Sequence, residues 1–268
     1  MPEGHTIHRI AKDHSRLLVG QPVSVSSPQG RFATDAALVD GVVLERIEAI
    51  GKHLFYWWAN GLVGHLHLGL FGKFRVSAGP DLAPVVGQVR MRMATELGTV
   101  DLAGPTDCSI GSADDRDAII ARLGPDPLRR DAKPADAIAR LGRSAQPIGA
   151  LLLDQKVLAG VGNVYRAEAL FVNGIHPARP GRACSDDELR ALWLTISAML
   201  KQGVKDNRII TIDRNEFPVS MSPRQGRARR GDATYVYHRD ICLRCSTPVQ
   251  TVALGGRACY FCPSCQPH

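Results

Sequence analysis

Residues His5 to Leu18 open the chain with a helical pattern, Ile7, Ile10, Leu17 and Leu18 recurring among charged neighbours. Short β-type runs follow, broken by turn residues: PVSVSS, VVLERIEAI, KHLFYWW, VGHLHLGL, FRVS, QVRMRMA and GTVDLAG. This spacing predicts a β-sandwich or barrel of about a hundred residues. Two prolines and a glycine in Leu123–Leu128, LGPDPL, interrupt the pattern and mark a hinge between domains. Helical patterns then run over Ala135–Leu141, Ile148–Leu153, Val164–Asn173 and Asp186–Gln202. From Lys205 to Asp232 regularity fades, and SPRQGRARRGD reads as a mobile basic loop. Its Arg224, Arg227, Arg229 and Arg230 are candidates for touching phosphates or for a merely solvated basic face.

A chain of 268 residues has room for more than one core. Lys and Arg outnumber Asp and Glu by 33 to 26, and the net charge of +7 favours an anionic partner such as nucleic acid. No stretch approaches the ~18–20 continuous apolar residues of a membrane span, and the start lacks a signal-peptide pattern. The expectation is a soluble cytoplasmic protein.

Five of the seven cysteines fall in the last 27 residues, CLRCSTPVQTVALGGRACYFCPSC. Cys242 with Cys245 and Cys262 with Cys265 form two C-x2-C knuckles, and the 16 residues between the pairs suffice for a β-hairpin. Four thiolates in two knuckles suit one tetrahedral zinc ion with no coordination position left for catalysis. Cys259 and Cys262 share the same spacing, but the tight turn in FCPSC favours Cys262 with Cys265 and leaves Cys259 as a strand residue. Cys108 and Cys184 stand alone and read as small buried hydrophobes.

Pro2 follows the initiator methionine in a context that favours its removal, which would leave a free secondary amine beside the carboxyl of Glu3. Such an amine can attack a sugar C1′ and form a cationic iminium. An α-amino group titrates near ~8 and a lysine near ~10.4, so at neutral pH the terminal amine holds roughly a few hundredfold more free base. The alternative is that Pro2 and Glu3 simply start a helix, with proline at an early helical position. In the middle of the chain, two glycines in Ala159-Gly160-Val161-Gly162-Asn163 permit an unusual backbone between helical stretches, and Asn163 is placed to cap the second.

Together these features closely resemble the formamidopyrimidine-DNA glycosylase and endonuclease VIII family. The matching motifs are MPEG at the start, GKHL at 51–54, LDQ…AGVGN at 153–163 and the terminal finger with Arg257, and they span nearly the whole chain in the family's order. The resemblance implies an α+β multidomain fold. It divides the chain into an N-terminal catalytic β-sandwich with an N-terminal helix (1–124), a helical helix–two-turn–helix domain (125–234) and a β-hairpin zinc finger (235–268).

It implies a bifunctional glycosylase and abasic-site lyase acting on damaged double-stranded DNA, with Pro2 as nucleophile, Glu3 as proton donor and Lys52 supporting catalysis at a phosphate. Asn163 and Arg257 would hold flanking phosphates, Leu70 and Phe71 would fill the hole left by a flipped base, and His65 and His67 read as structural. One structural zinc, no small-molecule cofactor and a monomer are expected. Gly4, and TELGTVDLAG where an Arg-Phe-Gly loop would stand, favour oxidised pyrimidines over 8-oxoguanine or formamidopyrimidine. The rival is a binder of damaged or abasic DNA without turnover. The chain also departs from the pattern at Gly69, where enterobacterial endonuclease VIII has a polar residue. A further departure is HRDIC at 238–242, where relatives commonly insert residues before the first cysteine.

Overall fold

A computed structural model describes residues 2–79, 83–213, 216 and 233–268. The chain divides into two compact units, Met1–Arg122 and Leu123–His268, the change falling where the prolines of LGPDPL begin.

Helix α1 (Gly4–Leu18) of the first unit buries Ile7, Ala11, His14 and Leu18 along one side and packs against the strand Leu44–Ile50. Two four-stranded antiparallel sheets follow. One has the order β2 (Leu44–Ile50), β3 (His53–Trp58), β4 (Val63–His67), β8 (Asp107–Gly111). The other has the order β1 (Ser24–Ser26), β6 (Val89–Thr95), β7 (Gly98–Ala103), β5 (Lys73–Ala78). Leu54, Tyr56, Trp58 and Leu66 of the first sheet and Met91, Met93, Val100 and Leu102 of the second belong to one buried cluster with Ile7 and Leu18. Alternate residues of β3, β6 and β7 thus point into the core. This is the β-sandwich that the sequence predicts.

Three elements escaped the sequence pattern: the short α2 (Ala33–Ala37), β8, and α3 (Ala113–Ile120). Helix α3 buries none of its residues and so has no apolar stripe to read. Its legible mark is the capping box at its start, Ser112 and Asp115 bonding each other's backbone N–H.

The second unit contains α4 (Pro134–Gly142), α5 (Ile148–Leu151), α6 (Asn163–Val172) and α7 (Asp186–Asp206), then the hairpin β9 (Gln250–Leu254) and β10 (Arg257–Phe261). Ser185 caps α7 through a box with Glu188, and left-handed Asn207 ends it. Leu141, Leu152, Leu170, Leu192, Ile196 and Leu200 form its core together with the buried Cys259 and Cys262. The α+β class with a helical unit and a cysteine-bearing hairpin is observed.

Candidate functional site

In the first unit the residues of interest sit at the chain's start and at two turns. Glu3 is the extended N-cap of α1, its carbonyl accepting from the Thr6 N–H (2.9 Å), and its side chain is completely buried without capping the helix. Pro2 is half-buried and precedes that cap. Pro2 therefore precedes the helix and does not stand in its first turn.

Lys52 occupies the two-residue turn between β2 and β3, where Ile50 pairs with His53. Gly51 takes φ +57 at the first turn position and Lys52 keeps an ordinary φ, the pattern of a type II′ hairpin. The register sets His53 opposite His67, and His53 Nδ1 lies 2.9 Å from His65 Nε2. Burial pushes the His53 imidazole down to about 3, and desolvation lowers His65 and His67 as well, so neutral rings line the strands beside Lys52. His65 and His67 were legible as a same-face pair. The third member, His53, is brought to them only by strand pairing.

Leu70 and Phe71 stand 58% and 80% exposed in the turn after β4, which is not how a buried strand end would sit. Gly69 precedes them at φ +63, and a Cβ there would collide with the Thr106 hydroxyl. A polar side chain cannot replace it without moving Thr106.

In the second unit the structure corrects one expectation. Asn163 does not cap α6: Gly162 is the N-cap and carries no side chain to do so. The Asn163 amide instead donates to the Ala258 carbonyl on β10 (3.0 Å), and its oxygen accepts from Arg166. Arg166, fully buried, also donates to the carbonyls of Gly149 (3.0 Å), Leu254 (2.9 Å) and Ala258 (3.2 Å). Sequence reasoning missed Arg166. A charged residue inside a helix ordinarily faces solvent, and nothing local announces that this one turns inward.

The guanidinium joins α5 and α6 to both strands of the hairpin, and Arg257 opens β10 exposed, after Gly255 and Gly256 at φ +60 and +71. A second missed residue is Glu168 on the same helix. Its buried carboxylate accepts from the Thr211 hydroxyl and from the N–H groups of Tyr235 (2.7 Å), Val236 (2.9 Å) and Tyr237 (2.9 Å). Burial pushes its pKa up, against the pull of those donors.

The sulfurs of Cys242, Cys245, Cys262 and Cys265 all lie within 4.8 Å of one another. Separations of 3.4 Å (Cys245–Cys262), 3.5 Å (Cys245–Cys265) and 4.0 Å (Cys242–Cys265) exclude disulfides, which need about 2.05 Å. They match the ~3.8 Å that a tetrahedral ion with ~2.3 Å metal–sulfur bonds imposes. The donor set therefore fits one metal ion. Cys259 lies on β10 and is buried in the core, outside this cluster. Gln266 ties the second knuckle to the helical body, accepting from Cys262 N–H (3.0 Å) and donating to the Ile175 carbonyl (2.8 Å). Among the described residues this is the one group of three or more His, Cys, Asp or Glu arranged to hold a metal. Arg224, Arg227, Arg229 and Arg230 lie outside the described residues. No helix among the described residues is long and apolar enough to cross a membrane.

Comparison with known proteins agrees with this arrangement. Residues 1–105 match the formamidopyrimidine-DNA glycosylase N-terminal domain, and residues 123–214 match the H2TH domain of the same proteins. The chain is 48% identical to "Endonuclease 8 1" of Mycobacterium tuberculosis over 99% of this chain and 100% of that protein. It is 29% identical to a formamidopyrimidine-DNA glycosylase of Thermus thermophilus over 99% of this chain and 98% of that one. A Lactococcus lactis FPG mutant, solved in complex with a Fapy-dG containing DNA, shares the fold with a TM-score of 0.81 at 24% identity, each chain fully covered. With both domains matched and a full-length relative at that identity, the chain belongs to the formamidopyrimidine-DNA glycosylase and endonuclease VIII family.

Proposed function

We propose that the protein is a bifunctional DNA glycosylase and abasic-site lyase that removes oxidised bases, pyrimidines foremost, from duplex DNA. The observation that carries this reading is the start of the chain: a proline that precedes the helix, directly before a wholly buried carboxyl.

With Met1 removed, the Pro2 nitrogen attacks C1′ of an extruded nucleotide and the base departs. Glu3 protonates the ring oxygen, the sugar opens, and an iminium links Pro2 to C1′. The iminium withdraws electrons from C2′. Loss of the C2′ proton then expels the 3′ phosphate, and a second elimination expels the 5′ phosphate. Lys52, on its rigid turn, supplies a cation to a phosphate near the reacting sugar. Arg257, and Asn163 through the amide N–H not given to Ala258, hold flanking phosphates without reading sequence. Leu70 and Phe71, exposed on a turn fixed by Gly69, wedge into the stack left by the extruded nucleotide. The four-cysteine cluster holds zinc, which stabilises the finger fold.

The preference for pyrimidines draws on Gly4 and on TELGTVDLAG, which runs through the β6–β7 hairpin and carries no Arg-Phe-Gly. Borohydride treatment of the protein with a duplex carrying an abasic site tests the reading. The expected result is a covalent adduct on the Pro2 peptide in material shown by intact mass to lack Met1. A processed protein that binds the duplex yet forms no adduct would be a non-catalytic binder, and the reading would fall.

A further inference from the structure

Three non-glycine residues among those described hold a left-handed backbone: Asn207, Ser246 and His238. Two have local reasons. Asn207 ends α7, and asparagine tolerates this region. Ser246 closes the first knuckle, its N–H donating to the Cys242 carbonyl (2.9 Å). His238, at φ +54, belongs to the HRDIC stretch, where the chain runs almost directly from the helical body into the first knuckle. The tight turn is the consequence of that short connection, with Arg239 N–H bonding the Val236 carbonyl at 3.2 Å. A glycine would make this turn without the ~1–2 kcal/mol that a side chain costs in the left-handed region. The backbone therefore does not account for an imidazole here.

The surroundings of the ring do. His238 is exposed, yet its ring is held on two sides. The Tyr260 hydroxyl lies 3.0 Å from Nδ1, with the rings 4.7 Å apart, and Tyr237 meets the ring edge-on at 4.5 Å. Tyr237 is pinned through its own N–H to the buried Glu168. Tyr260 belongs to β10, the strand that opens with Arg257. An exposed side chain with little rotational freedom, fastened to the strand that carries Arg257, is a preorganised hydrogen-bonding group.

We infer that His238 donates a hydrogen bond to a phosphodiester oxygen of bound DNA, as a positioning contact set by Tyr237 and Tyr260. The inference rests on the proposed function, since it takes DNA as the ligand. Phosphate contacts of this kind fix the register of a protein on the duplex and carry no sequence information.

The test uses full-length, metal-loaded protein and a duplex carrying a tetrahydrofuran abasic analogue, with affinity read by fluorescence anisotropy and Tm measured in parallel. His238→Gly is expected to hold or raise Tm, because it relieves the backbone, while weakening binding roughly five- to tenfold, the scale of one hydrogen bond. His238→Asn keeps the left-handed turn and should bind as weakly as the glycine variant. Tyr260→Phe, which frees the ring, should lose less in the same direction. Binding by His238→Gly within about twofold of wild type overturns the inference. So does full recovery by His238→Asn, or a loss of affinity that merely tracks a fall in Tm. The wild-type protein reports on the underlying reading separately: if it neither binds the duplex nor forms a borohydride adduct, the glycosylase assignment fails and this inference with it.

Discussion

The two units hold their candidate functional residues in different ways. In the first, Pro2, Lys52, Leu70 and Phe71 lie at the chain start and on two tight turns, fixed by hairpin geometry and by glycines at 51 and 69. In the second, Asn163 and Arg257 are fixed by contacts across 88 to 95 positions of sequence, through Arg166, the β10 carbonyls and four sulfurs. A turn is a local device and survives disturbance elsewhere. A long-range lattice of buried bonds is lost as a whole when one member goes.

Metal removal should expose this difference most sharply. Structural zinc contributes roughly 10–16 kcal/mol in small finger peptides, so a strong chelator should unfold 242–265 and abolish DNA binding. Hydrogen-exchange protection of β2–β4 in the sandwich should stay unchanged. Its loss together with binding would show that the sandwich depends on the metal too.

Next in size is Arg166→Met, which keeps bulk but removes the donor from several buried carbonyls, each costing ~1–3 kcal/mol when left unsatisfied. Hydrogen exchange should accelerate along β9 and β10 and leave β2–β4 protected. Uniform exchange across both units would show that Arg166 is not a local clamp.

Acid should act on the first unit. Burial lowers His5 and His14 to about 4 in the folded chain, against 6.5 for a free imidazole. Above pH 6.5 both folded and unfolded forms are neutral and nothing changes. Below it the unfolded chain takes up protons that the native one refuses, so stability falls as pH falls. At ~1.4 kcal/mol per pH unit for each histidine, His5, His14 and the similarly lowered His53 together cost about 4 kcal/mol at pH 5.5, and His65 and His67 act in the same direction. Chemical denaturation of the sandwich at pH 7.5 and 5.5 measures it, and His14→Phe should blunt the difference.

The smallest effect on folding is expected from Phe71→Ala. The side chain is exposed, so stability should hold within about 0.5 kcal/mol. Affinity for an abasic duplex should drop roughly tenfold, consistent with loss of a stacking group. Unchanged affinity would remove Phe71 from the interface.

Legibility in the sequence followed the same division. Alternation in QVRMRMA and the β-rich run KHLFYWW announced strands, because the first buries residues from one side of a sandwich and the second buries Leu54, Phe55 and Tyr56 in succession. Knuckle spacing marked the four sulfurs, because two residues between cysteines let one turn aim both at a common point. Helix α3 hid because it buries nothing. The role of Asn163 was misread because the rule for helix starts is local, whereas its amide bonds a strand 95 positions away.

Sequence by itself determined most element types, the place where the chain divides and the cysteines that cluster, since periodicity, proline placement and knuckle spacing act over a few neighbouring residues. Tertiary structure alone decided that Arg166 and Glu168 turn inward, that His53 joins His65 and His67, and that His238 is gripped by a tyrosine 22 positions away. Burial and hydrogen bonding between distant segments belong to the folded chain, and no window of residues contains both partners.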